Sequence, residues 1–260
     1  MSSTPNPVIG LLSWDYACPK GGMGRSLQSI ASTLRQGGFV LRILAPCPDN
    51  AADHPLLSFT HRVGGQMLFS LLLPFTFKHR IRSTRIDRLL LPVGPGGVML
   101  LGQPLVPAIA IVYHSYAQQC RLVPGQSWKK IFCPLERRTL SFCDRIVCFS
   151  EDTKQALIDA YDIDPQKITL LPHSVVVSAT LSVKEHGLCI CVARLDGRKG
   201  VDVLLRAWPS IIAAMPDARL VIVGNGPQAR IIDRMIAQTS GVQRMRSVFQ
   251  HDLDLLVQRA

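Results

Sequence analysis

Two cations close together in sequence could hold a diphosphate. Arg194 and Lys199 stand in Val192-Ala-Arg-Leu-Asp-Gly-Arg-Lys-Gly200, between an apolar run that reads as a strand and a helix opened by glycine. Fixed positive charge beside the free amides of a helix start can stabilise a departing pyrophosphoryl group, though a solvated loop of surface charges would look the same. In Lys20-Gly-Gly-Met-Gly-Arg25 three glycines exceed what a tight turn needs. Gly22 and Gly24 would let a ligand approach the backbone where helix amides attract anions. His114 closes an apolar run at 108–113, the end of a strand where open α/β sheets place their ligands. A structural histidine is the alternative at that position. Gly224-Asn-Gly226-Pro-Gln-Ala229 fits the formal G-x-G-x-x-A turn of dinucleotide sites. The acidic partner of that turn is only loosely placed, at Asp252, and too little chain follows for a dinucleotide domain, so no nicotinamide cofactor is expected. Asp252-Leu-Asp254 reads as the cap of a last helix rather than as a metal pair, and no metal site is expected.

The elements that must position these residues form two series. Val8–Leu12 is a short apolar run of the kind buried in a parallel sheet. Leu27, Ile30, Ala31 and Leu34 follow Met23 at 4, 7, 8 and 11 residues, one apolar helix face, with Gly37-Gly38 as its C-cap and Val40–Ala45 as the next strand. Further strands are expected at 108–113, 145–149 and 167–171, with helices at 128–140 and Glu151–Tyr161. Glycines and prolines between 92 and 107 break any regular pattern. A second βα series begins after 178, with strands at 188–193, 220–223 and 246–249 and helices at 200–215 and 227–237. The expectation is an α/β protein with two Rossmann-like, doubly wound domains, 1–177 and 178–260, the second incomplete.

Hydrophobic residues at 47% and charged residues at 18% supply enough apolar material for a core and exclude a largely disordered chain. The apolar run 67–77 spans 11 residues and contains Pro74, against about 20 needed to cross a bilayer. No basic n-region precedes an apolar stretch at the start, so no signal peptide is read and a cytoplasmic setting is expected. The eight cysteines show no C-x-x-C pair and read as reduced, buried thiols. A net charge of +11 suggests polyanionic partners: nucleic acid, anionic lipid or phosphorylated small molecules. Aromatics at 6% argue against a base-stacking surface. The basic run 78–88 behind the apolar run 67–77 fits either a peripheral membrane contact through 67–88 or a solvated helix face.

Four motifs in order resemble glycosyltransferase family 4, retaining transferases of the GT-B fold. They are Gly21-Gly-Met-Gly-Arg25, Cys143-Asp-Arg-Ile-Val-Cys-Phe-Ser150, Ala193-Arg-Leu-Asp-Gly-Arg-Lys-Gly200 and Leu220-Val-Ile-Val-Gly-Asn-Gly-Pro227. The resemblance implies an acceptor-side first domain and a donor domain for a nucleotide-sugar. It implies Arg194 and Lys199 on the donor diphosphate, Gly22 and Gly24 on a loop facing the donor, Gly224 and Gly226 in the donor domain, and His114 beside the reacting sugar. The acceptor would be a glycan or a lipid-linked molecule, with no nucleic acid and no cofactor, at the inner face of the membrane if peripheral. Two departures stand out. Pro172-His-Ser-Val-Val176 lacks the asparagine, glycine and acid of the family's interdomain P-N-G-V-D, and the E-x7-E segment that grips ribose and sugar is not found. The chain therefore reads as a transferase truncated inside its donor domain, or as a non-catalytic remnant that binds acceptor or membrane or needs a partner chain.

Overall fold

The computed structural model describes residues 7–16, 22–46, 53–63, 65–173 and 183–260. The chain divides into two compact units, 1–174 and 175–260. The first is built on a parallel sheet of β1 (Val8–Leu12), β2 (Val40–Ala45), β3 (His54–Pro55), β4 (Arg88–Val93), β5 (Ala108–Val112), β6 (Arg145–Cys148) and β7 (Ile168–Leu170). Its order is β3-β2-β1-β4-β5-β6-β7, so the chain winds outward from β1 in one direction and returns to β1 from the other side as β4. Ile9 pairs with Arg88 at that junction, and the carboxyl ends of β1 and β4 flank the topological switch point, where ligands of such sheets bind.

Helices cover both faces. Leu27 and Ala31 of α1 (Gly22–Gln36) pack on Leu11, Ile43 and Ile111, with Met23, Ile30 and Leu34 partly buried beside them. This is the helix face read from the sequence. The opposite face carries α2 (Gly65–Thr84), α3 (Tyr116–Leu122), α4 (Cys133–Ser141) and α5 (Glu151–Tyr161), whose Phe69, Leu73, Leu140 and Leu157 bury against Leu89, Leu91, Ala110 and Ile146. Ser150 caps α5, its hydroxyl accepting from the Thr153 amide at 3.2 Å.

Several expectations are corrected. Residues 92–107 are not wholly irregular, because β4 runs through Pro92 to Val93 as a central strand. The proline is tolerated because pairing to β1 ends at Leu90, so Pro92 sits past the end of that ladder. The expected helix 128–140 is a 3-10 turn, Ser127–Phe132, leading into α4, since Pro134 fits only the first turn of a regular helix. α3 was not read, although Ser115 and Gln118 form a capping box at its start.

The second unit is a three-stranded parallel sheet, β10-β9-β8, of β8 (Leu188–Val192), β9 (Arg219–Val223) and β10 (Val242–Met245). α6 (Val201–Ala214) and α7 (Ala229–Ile236) join the strands, and α8 (Gln250–Arg259) follows. Val201, Leu205 and Trp208 of α6 pack on Leu220, Ile222 and Ile232. The third strand lies before 246–249, because Gly241, at φ 71°, ends the preceding turn and its carbonyl accepts from the Leu220 amide. The apolar pair Val248-Phe249 that suggested a strand leads into α8 instead, with Phe249 exposed. Asp252 lies in the first turn of α8 rather than capping it; Phe249 holds the cap position. The cysteines are not uniformly buried: Cys143 and Cys148 are, but Cys189 is exposed on β8, an edge strand.

Candidate functional site

In the first unit the candidate residues gather around the carboxyl ends of β1, β4 and β5. α1 starts at Gly22, which is exposed and has no atom within 4 Å of where a Cβ would stand. Gly24, two residues further, is buried. Gly21 lies outside the described residues. The loop after β4 crosses beside this helix start, close enough that a side chain at Gly96 would meet the Met23 methyl at 2.9 Å. The chain leaving β1 carries the buried polar residues Ser13 and Asp15, and Gln28 of α1 donates to the Tyr16 carbonyl at 2.9 Å.

His114 is half-buried, two residues past the end of β5. Its backbone carbonyl presses on Gly94, whose φ of 110° and lack of Cβ are both required, since a side chain there would collide with that carbonyl. Beneath it lies Glu136 of α4, which is fully buried. One carboxylate oxygen accepts from the Tyr116 amide at 2.8 Å and from the Tyr161 hydroxyl. Burial pushes the Glu136 pKa up to about 7, although both hydrogen bonds act to lower it. The sequence reading missed Glu136. Its burial arises where α3, α4, α5 and the β4 loop converge, and no local pattern announces that. Further along the same edge, the rings of Tyr113, Phe149 and His173 stack, with centroids 4.8 Å apart for the first two and 4.0 Å for the last two. The histidine that departs from the interdomain pattern thus ends an aromatic stack in the first unit.

In the second unit Arg194, Lys199, Gly224 and Gly226 come together at the carboxyl edge of β8 and β9. Asp196 caps the short 3-10 turn Gly197–Lys199 and lies 3.8 Å from Arg194 and 3.2 Å from Arg198. Burial raises the Asp196 pKa, but the hydrogen bond and charge of Arg198, with Arg194, hold it below the usual carboxylate range. It stays ionised and fixes the loop without cancelling its three cations. Arg194 and Lys199 are exposed, and the Lys199 ammonium has no ion pair among the described residues. Gly200, at φ 63°, then turns the chain into α6.

The two glycines are explained by packing. Gly224 has φ 153°, and a Cβ there would collide with the Ala193 carbonyl; one at Gly226 would collide with that of Leu195. Leu195 donates to the Asn225 carbonyl and accepts from the Gln228 amide, both at 3.0 Å, so the two loops are clasped. Arg244 backs the clasp. Its side chain is buried, forms a two-pronged pair with Asp233 at 2.6 and 2.7 Å, and donates to the Gly224 carbonyl at 3.0 Å. Sequence reasoning missed Asp196, Arg198 and Arg244; the first two lay inside the basic loop it had already singled out.

The model of Glycosyltransferase Family 4 matches residues 20–178, and that of Glycosyl transferases group 1 matches residues 186–260. The chain is 24% identical over 102 residues to the phosphatidylinositol N-acetylglucosaminyltransferase gpi3 subunit of Schizosaccharomyces pombe, covering 37% of this chain and 22% of that protein. It is 46% identical over 51 residues to the GDP-mannose-dependent alpha-(1-6)-phosphatidylinositol monomannoside mannosyltransferase of Mycolicibacterium smegmatis, covering 20% and 13%. The matches thus span under a quarter of the length of these relatives. The solved structure of TarM superposes with a TM-score of 0.65 at 8% identity, covering 96% of this chain and 78% of that one. The shared fold is the GT-B type, two Rossmann-like α/β units.

Proposed function

The chain belongs to Glycosyltransferase Family 4, and from that premise we propose that it moves a sugar from a nucleotide-activated donor to a lipid-linked or glycan acceptor. The bond between the anomeric carbon and the donor phosphate oxygen breaks. The acceptor hydroxyl oxygen bonds to that carbon with retention, and its proton passes to the departing diphosphate. Arg194 and Lys199, with Arg198 beside them, stabilise the charge that builds on the diphosphate. Gly22, exposed at the start of α1, lets the donor approach the helix amides, with Gly24 buried just inside it, and His114 touches the donor sugar or the acceptor. Residues 1–174 take the acceptor side and 175–260 the donor side.

The observation that carries this reading is the basic loop after β8. Its three cations stand at the carboxyl edge of a parallel sheet, beside the start of α6, on a loop clasped by Gly224 and Gly226. A packed clasp is unnecessary for a loop of ordinary surface charges, whereas a leaving group needs its counter-charges fixed before the bond breaks. Phosphatidylinositol-directed relatives make a lipid acceptor the first to try. Release of nucleoside diphosphate from GDP-mannose and from UDP-N-acetylglucosamine, measured with phosphatidylinositol vesicles, tests the proposal. Release is expected from one donor, reduced at least about a hundredfold when Arg194 and Lys199 are both changed to Ala. Release that survives the double change would remove the loop from the chemistry.

A further inference from the structure

The segment from α3 to α4 presents apolar side chains to solvent among positive charges. Leu122, Trp128 and Ile131 are 60, 59 and 66% exposed, within ten residues of one another. Contiguous exposed apolar side chains rimmed by polar residues mark interaction surfaces. The same stretch carries Arg121, Lys129, Lys130, Arg137 and Arg138. Its single carboxylate is Glu136, which is fully buried. Lys129 leans over the Trp128 ring at 5.8 Å, so a cation and an aromatic face share one spot. Arg121 is partly engaged by Asp152 at 3.4 Å, while Lys130, Arg137 and Arg138 are exposed cations, the last of them over the Phe142 ring.

A second feature lies beside these side chains. A groove of about 430 Å³ opens between α3, α4 and α5, with Ala117, Cys133, Ala160 and Tyr161 as apolar wall and Arg121 and Lys130 among its lining. Apolar walls with cations among them suit a molecule with an acyl chain and an anionic head. Trp, Ile and Leu beside lysines and arginines have the composition of a segment that lies in the headgroup boundary of a bilayer. We propose that the surface formed by α3, the turn Ser127–Phe132 and α4 docks on an anionic membrane, with Trp128 and Ile131 entering the headgroup region. This surface is distinct from 67–88, where Leu71 and Phe75 of α2 are also exposed. The proposal stands apart from the transfer reaction, because vesicles carrying neither donor nor acceptor suffice to test it.

The test is flotation of the full chain with phosphatidylcholine vesicles, with and without about 30% phosphatidylserine, alongside tryptophan emission. Trp208 is buried and Trp14 half-buried, so a change in emission on mixing reports chiefly on Trp128. Binding to the anionic vesicles with a blue shift is expected, weakening as salt is raised. Each interfacial cation is worth roughly fivefold in affinity, so Lys129→Glu with Lys130→Glu should weaken binding by at least tenfold. Trp128→Ser with Ile131→Ser should do the same. These side chains are largely at the surface, and an unchanged circular dichroism spectrum verifies folding. No binding to anionic vesicles, or binding unchanged in both variants, would overturn the proposal. So would binding lost only in Leu71→Ser with Phe75→Ser, which would place the membrane face on α2.

Discussion

Glu136 joins the fold to the candidate site through a single side chain. It holds the start of α3, through the Tyr116 amide, and so the backbone that leads from His114. Its folded pKa of about 7 lies above the ordinary 4.5, so folding favours the protonated form. Below about pH 4.5 both folded and unfolded states hold the proton, and the group adds no pH dependence. Between 4.5 and 7 the unfolded chain releases its proton first, and stability falls as pH rises, by up to ~3 kcal/mol before it levels off. Glu136→Gln keeps an oxygen for Tyr161 and Tyr116 but cannot ionise. Melting temperature followed from pH 5 to 8 should fall in the parent protein and fall less in the variant. Equal slopes would mean that Glu136 ionises as freely in the folded state as in the unfolded one. No feature of Cys133-Pro-Leu-Glu-Arg137 marks Glu136 as buried. The basic loop around Arg194 was legible because strand, cations and glycine-opened helix are contiguous in sequence.

At the scale of elements, the loops after β8 and β9 act as one device. The Ala193–Leu195 backbone lies against Gly224 and Gly226, and Arg244 from β10 ties the turn down. Gly224→Ala forces both a collision and a φ of 153° on a side-chain-bearing residue, and should destabilise the second unit by ~2 kcal/mol or more. Gly22→Ala is its counterpart in the first unit, with open space around the new methyl, and should leave melting unchanged while lowering donor turnover. A thermal melt of each variant separates the two kinds of glycine; equal losses would contradict the packing described for both. The same contrast explains what could be read in advance. β1, β2 and α5 were legible to the residue because apolar runs, a Gly-Gly stop and Ser150 mark their limits locally. β4 was hidden by Pro92, which a central strand admits only because its ladder to β1 has already ended. The third strand of the second unit was displaced because exposed Phe249 looked like core.

At the scale of the whole molecule, the chain carries a charge of +11 on two units that each place candidate residues at the carboxyl edge of a parallel sheet. Arg194, Arg198 and Lys199 concentrate that charge where a phosphorylated ligand would meet it, and Asp196 fixes the loop. The central claim is therefore about a diphosphate and not about any one sugar. Calorimetric titration of GDP and UDP into the full chain tests it most directly, with Arg194→Ala, Lys199→Ala and the parent compared at fixed salt. The account predicts binding of at least one nucleoside diphosphate by the parent and a loss of roughly tenfold in each variant, as expected for a charge-assisted contact. Binding of equal strength in all three proteins would contradict it, leaving the basic loop as charged surface.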